Sequence, residues 1–397
     1  MAITINGKIK IMERRNFIKT SGLAAVATSG LAATFPNSEA TDNQLEKDQK
    51  KVNFTRDGLD LTVREYADLL TQIDIKNKIE PDYYSNGGVV EKLEKRMAEI
   101  LGKESAVFMP TGTLANHIAI RKLADENRKV IVQAESHIYR DSGDCANTLS
   151  SLNLIPLAQG KVDFSLTEVE EVFRRNAENR VKTQIGAISI ESPVRRHNNQ
   201  MFDFNEMQKI SKFARENNIK THLDGARLFN ACVHSKKSPA EFAQLFDTVY
   251  VSLYKNFNAA SGAILAGDFE FTEDLFHTRR MFGGGMPQVW PFAAVAKYYL
   301  DNFLDSYKKS LQHAERFFEL IQKNGKIKVA KLNEGTNVVK LNVSGISPKH
   351  LKEALELQNI YIPAGNEKTG DVFIKINPSI LRKSVDKLAE SFNRAIK

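Results

Sequence analysis

The chain has 397 residues, enough for a large core and more than one domain, and its 42% hydrophobic, 26% charged and 9% aromatic content is that of a soluble globular protein. A formal net charge of +8 raises nucleic-acid binding, but lysine and arginine are scattered and no basic run is interleaved with aromatics, so that class is set aside. Two cysteines, Cys145 and Cys232, exclude a disulfide framework and a cysteine-based zinc cluster, and both read as small buried hydrophobes.

The first forty residues read as an address. "ERRNFIKTSGLAAVATSGLAATFPNSEA" joins adjacent Arg14 and Arg15 to Phe17, Ile18 and Lys19, then to an Ala/Gly/Ser/Thr/Leu stretch too short to span a bilayer. It closes on Ser38-Glu39-Ala40, a small-residue cleavage site. The segment resembles a twin-arginine export signal, which implies a periplasmic protein, or a cytoplasmic one if the signal is not used. Met12 offers an internal start, and Lys8, Lys10, Arg14, Arg15 and Lys19 against Glu13 and Glu39 give this segment a net +3. Residues 41–52 are polar and read as a flexible linker. No later segment is long and apolar enough to cross a membrane.

From about residue 90 the pattern alternates. "VVEKLEKRMAEILG" has helical spacing and a closing glycine, "SAVFMP" reads as a strand, and "LANHIAIRKLA" as a helix. "KVIVQA", "IGAISIE", "IKTHLDGA", "TVYVSLYK" and "GAILAG" are short β-branched runs separated by helices such as "FNEMQKISKFARENN". Strands alternating with helices predict an α/β fold, a mostly parallel central sheet with helices on both faces, over 53–290. After Pro291 one long helix is expected, followed by strands and helices of a smaller C-terminal α+β domain over 291–397.

Chemistry concentrates at three strand ends. "FMPTGTLANH" puts Thr111, Gly112 and Thr113 between a strand and a helix, where free N–H groups and the helix dipole suit a phosphate, although such residues also serve as ordinary caps. GxGxxG and GxxxxGK[ST] are both missing, so the dinucleotide and P-loop readings lack their fingerprints. Asp224 in "HLDGARLFNA" and Lys255 in "VYVSLYKNFNAASGAILAG" fall just past consecutive strands, at the edge where open parallel sheets bind ligands. A phosphate turn, an acid and a lysine on one edge point to pyridoxal 5′-phosphate. Lys255 would form the Schiff base, and Asp224 would keep the pyridine nitrogen protonated.

"PTGTLANH", "HIY", "HLDGARLFNA", "SLYK…GAILAG" and "FGGGM" resemble the threonine aldolase and β-eliminating lyase family, of the aspartate-aminotransferase-like fold. The likeness runs from about Asn53 to the C-terminus. It implies Lys255 as the Schiff-base lysine, Asp224 as the pyridinium partner, and Arg227 near the cofactor's phenolic oxygen and the substrate carboxylate. It further implies His137 stacked on the ring and moving the hydroxyl proton, and Gly112, Thr113 and Ser252 on the phosphate. His117 and His222 are left as structural residues.

Three departures stand out. Asn256-Phe257-Asn258 follows the lysine where relatives often have Gly-Leu-Gly, and Asn198-Asn199 replaces a glycine pair. Asparagine is the best non-glycine residue at positive φ, so both turns are expected to survive. The small domain has no convincing arginine for the substrate carboxylate. Lys375 and Arg382 are within consideration, and Arg195 of "PVRRHNNQMF" is a rival clamp of better geometry. The implied activity is cleavage of a β-hydroxy-α-amino acid, L-threonine giving glycine and acetaldehyde. β-Elimination and a non-catalytic cofactor-binding protein are the alternatives. The expected partners are a small amino-acid substrate and a second copy in a homodimer or homotetramer, with no nucleic acid, no stable membrane span and no metal.

Overall fold

Asp224 and Lys255, singled out above, lie at one edge of a seven-stranded sheet. The computed structural model describes residues 50–397, so the expected export signal and most of the expected linker lie outside the described residues. The strands are β1 (Val52–Asn53), β2 (Ser105–Met109), β3 (Lys129–Gln133), β4 (Asn153–Leu157), β5 (Ile185–Glu191), β6 (Lys220–Asp224), β7 (Thr248–Ser252), β8 (Ala263–Gly267), β9 (Ile327–Lys331), β10 (Val338–Val343), β11 (Ile360–Tyr361) and β12 (Asp371–Lys375). The helices used below are α1 (Val63–Asn77), α2 (Gly88–Leu101), α3 (Gly112–Ala124), α4 (His137–Arg140), α5 (Phe204–Glu216), α6 (Trp290–Leu300), α7 (Phe303–Gln322) and α8 (Val385–Ala395).

The large sheet runs in the order β2-β8-β7-β6-β5-β3-β4. The five strands from β7 to β4 pair in parallel, and β8 alone runs antiparallel to both of its neighbours. This is the α/β fold with a mostly parallel sheet that the alternation of elements predicts. β5, β7 and β8 bury every residue, as strands covered on both faces must. β2, two steps from β7 through an antiparallel neighbour, points the same way as β7. The C-terminal ends of β2, β3, β5, β6 and β7 therefore share one edge.

Helical spacing does the covering. α2 buries Val90, Leu93, Met97 and Leu101 and stops at Gly102, which takes the left-handed conformation. α5 starts from the Asp203 side chain, which accepts the Glu206 amide, and buries Met207, Ile210 and Ala214.

Beyond β8 the expected single helix is two, α6 and α7, broken at Asp301 and Asn302. Both residues favour local side-chain bonds over helix interiors, and the Asp301 carboxylate is drawn 2.9 Å from the Arg96 guanidinium. A separate antiparallel sheet, β12-β10-β9, packs with α7 and α8 around a second core. Val52 and Phe54 belong to that second core, Phe54 stacking 6.3 Å from Phe317. The described residues thus begin in the C-terminal core: Val52, expected at the end of the linker, pairs in parallel with Ile360.

Candidate active site

The parallel register sets Glu191 beside Asp224, one ending β5 and the other β6. Lys255 follows in the turn after β7, and these three join Gly112, Thr113, His137, Arg195, Arg227, Tyr250 and Tyr254 around one narrow cleft. Of the candidates read from the sequence, Thr111, Ser252, Lys375 and Arg382 are not in this lining. Thr111 is exposed and its hydroxyl accepts the Leu114 amide at 3.2 Å, so it works as the N-cap of α3. Ser252, at the end of β7, has a buried Oγ near the Tyr250 and Tyr254 hydroxyls but in no well-formed hydrogen bond among the described residues.

Asp224 is buried, and each of its oxygens is fixed. Oδ2 accepts the Asn116 side-chain amide at 2.5 Å, and Oδ1 accepts the Ala226 backbone amide at 3.1 Å. Asn116 is oriented in turn by His222, whose Nε2 lies 2.9 Å from the Asn116 side-chain oxygen and whose Nδ1 lies 2.8 Å from Thr248 Oγ1. Burial drops the His222 pKa to about 4, so a neutral ring supports the buried acid. His117 is likewise structural, 2.7 Å from Ser150 Oγ.

Lys255 carries an amine suited to covalent work. Burial first, then the charge of Arg227, bring its pKa to about 8 against the pull of Asp224, Asp57 and Glu191. Its Nζ stands 5.2 Å from the centre of the Tyr254 ring. Arg227 meets Asp57 in a two-pronged pair of 3.0 and 2.8 Å, and Lys375 reaches the same carboxylate at 3.3 Å. Burial alone would raise Asp57, but these two cations outweigh it and hold the acid well below the usual range. Asp57 sits on the irregular segment before α1, and nothing in its local sequence announces it.

The clamp candidates divide. Arg195 lines the cleft with its guanidinium 2.5 Å from Asp141, and Lys375 stands near through Asp57. Arg382 is committed elsewhere, donating to Glu65 at 2.7 Å and to the Lys51 carbonyl at 3.0 Å. The asparagine turns hold as expected at Asn198, Asn199 and Asn258, with φ of 52°, 57° and 55°. Asn256 differs. Its φ is not positive, and its side chain is used to donate to Asn230 at 2.9 Å. Phe257 between them is fully buried against Phe229 and Phe303.

The donor set fits pyridoxal phosphate on structural grounds. A depressed lysine, a buried acid one strand away, a helix N-terminus lining the cleft, and two buried polar atoms in no well-formed hydrogen bond, Ser252 Oγ and His137 Nδ1, leave the bonds that such a ligand would complete. Fold and site together define a pyridoxal-phosphate-dependent enzyme.

Residues 70–344 match the beta-eliminating lyase family, and the chain belongs to it. It is 28% identical to the low-specificity L-threonine aldolase of Candida albicans over 68% of this chain and 72% of that one. It is 28% identical to the low specificity L-threonine aldolase of Escherichia coli O157:H7 over 71% and 83%. A solved structure from Listeria monocytogenes, provisionally described as an L-allo-threonine aldolase, superposes with a TM-score of 0.70 at 28% identity, covering 89% of this chain and 98% of that one. The cofactor is pyridoxal 5′-phosphate.

Proposed function

We propose that this lyase cleaves the Cα–Cβ bond of β-hydroxy-α-amino acids, with L-threonine giving glycine and acetaldehyde. The observation that carries the reading is His137: it lines the cleft with Lys255, and its buried Nδ1 has no partner among the described residues, so it is available to take the β-hydroxyl proton. The threonine aldolases among its relatives support the same substrate class.

The bound cofactor supplies an electron sink for the carbanion left at Cα. Every other task falls to the chain. Lys255 would hold the cofactor covalently. Asp224, fixed by Asn116 and Ala226, would hold the ring nitrogen's proton. Gly112, Thr113 and Ser252 would take the phosphate, and Arg227 with Arg195 would take the substrate carboxylate. His137 would lie against the ring and take the hydroxyl proton. Orientation of the breaking bond perpendicular to the ring is what this frame provides.

The test is product analysis from L-threonine and L-serine with the holoprotein and a Lys255→Ala control. Glycine plus aldehyde, lost in the control, is the expected result. Ammonia plus a keto acid would move the enzyme to β-elimination, and no turnover of either would leave a cofactor-binding protein.

Two further proposals rest on the sequence. The protein is exported through the twin-arginine-type signal at 1–40, which fractionation of cells carrying Arg14→Lys/Arg15→Lys would check. It assembles as a homodimer or homotetramer. Tyr254, 46% exposed beside the cleft, and Tyr83, 75% exposed, are aromatic surface that a second copy would cover. An active monomer by light scattering would refute assembly.

A further inference from the structure

Two short turns bring His137 and Arg195 to the cleft, and neither is capped by its own sequence. α4 begins after Ser136, which makes no side-chain cap bond, and the single turn Arg195–His197 begins after Val194, which has no side chain able to make one. One carboxylate does both jobs. Glu191 Oε2 accepts the His137 backbone amide at 2.6 Å, and Oε1 accepts the Arg195 backbone amide at 2.8 Å.

The carboxylate is itself tightly placed. The Gln133 side chain accepts the Glu191 amide at 2.6 Å and donates to the Glu191 carbonyl at 3.0 Å, so β3 fixes the residue's backbone from the side. Asp224 flanks it from β6, and Arg227 and Lys255 face it across the cleft. Burying a glutamate beside an aspartate is costly. A packing role would be met as well by an apolar residue, whereas two unpaired amides at turn starts call for an acceptor with two free oxygens.

We propose that Glu191 is a positioning residue that sets both walls of the substrate cleft at once, capping the turn that presents His137 and the turn that presents Arg195. This rests on the assignment of roles to His137 and Arg195 above. Burial, then Asp224, push the Glu191 carboxyl up to about 7, so protonation near neutrality would take one acceptor away from one of the two amides.

The experiment uses Glu191→Gln and Glu191→Asp holoproteins, with hydrogen exchange followed over 134–141, 193–199 and, as a control, 220–224. Glutamine keeps one acceptor oxygen and turns an N–H₂ toward the other amide. Exchange in at least one turn should rise about 10-fold, with 220–224 unchanged and bound-cofactor absorbance retained. On L-threonine kcat should fall at least as much as KM rises, because His137 is displaced as well as the clamp. Aspartate keeps both oxygens but is one carbon shorter, so raised exchange in the two turns is expected there too. It decides the matter if the glutamine variant does not fold. Wild-type exchange rates in both turns would reduce Glu191 to a core carboxyl and overturn the proposal. If the wild-type enzyme fails to cleave L-threonine, the proposed activity falls, but the exchange comparison still decides the role of Glu191.

Discussion

The β-carbon that residue 112 lacks would lie inside the Tyr250 phenol, 3.1 Å from Cε2 and closer still to Cζ and the hydroxyl. Gly112 opens α3 beside the cleft, and Tyr250 rises from β7 beneath it. The glycine thus lets a helix N-terminus approach a buried ring that lines the cleft. Gly112→Ala should cost about 1–3 kcal/mol of stability and weaken cofactor binding at least about 10-fold by pushing α3 off the phosphate position. Absorbance titration of the apoprotein measures the second effect, and unchanged affinity would remove Gly112 from the phosphate site.

Asp57→Asn tests whether Arg227 is a substrate clamp. The buried guanidinium loses its countercharge, and the apoprotein should lose about 3–5 kcal/mol in urea denaturation. If Arg227 binds the substrate carboxylate, removing its internal competitor lowers KM. A KM that stays level or rises would leave the task to Arg195.

The Lys255 amine gives a pH dependence of definite sign. Its pKa lies at about 8 rather than the ordinary 10.5, so the free amine accumulates as pH rises through about 8. Covalent attachment of pyridoxal phosphate to the apoprotein should therefore accelerate from pH 6 upward and level off above about 8. Arg227 depresses that amine, so Arg227→Gln should move the midpoint upward by about half a unit or more. Stopped-flow absorbance reads both midpoints, and a shift downward would contradict the electrostatics.

Away from the cleft, Glu94 accepts the Phe108 amide at 2.6 Å, and burial pushes its carboxyl from 4.5 to about 7 in spite of that bond and of Arg279. The folded protein holds this proton where the unfolded chain has lost it. The associated stability is complete below pH 4.5 and is lost as pH rises through about 7. Glu94→Gln should be more stable than wild type at pH 8 by about 1–2 kcal/mol and no more stable at pH 5. Equal differences at both pH values in thermal denaturation would mean that Glu94 is ionised throughout.

Much of this arrangement is legible in the sequence. Apolar strands ending in a polar residue put Asp224 and Lys255 on one edge, and asparagines where a turn needs positive φ survive at three of four positions. Glu191 closes "IGAISIE" just as Asp224 closes "IKTHLD", a signal present but carrying meaning only once β5 and β6 are known to be neighbours. Asp57 and Tyr250 had no such mark. An acid in an irregular segment acquires its role from a partner 170 positions away, and a tyrosine in a buried strand looks like any core aromatic. Contacts set by tertiary register, not by local pattern, are what the one-dimensional reading lacks.

The segment between Val52 and Leu59 ties distant parts of the protein together. Phe54 and Asn53 bond to Lys375 and Ser379 of the C-terminal core, Asp57 grips Arg227, and the Leu59 amide reaches Asn258 just after the lysine at 2.7 Å. Gly58 lies so close to the Lys255 carbonyl that no β-carbon would fit between them. A protease clipping between Phe54 and Asp57 would part the strand pairing in the C-terminal core from the contacts that Asp57 and Leu59 make beside the lysine turn. Trimming that stops short of Val52, by contrast, leaves every one of these bonds in place, so fusion partners and affinity tags belong upstream of that valine.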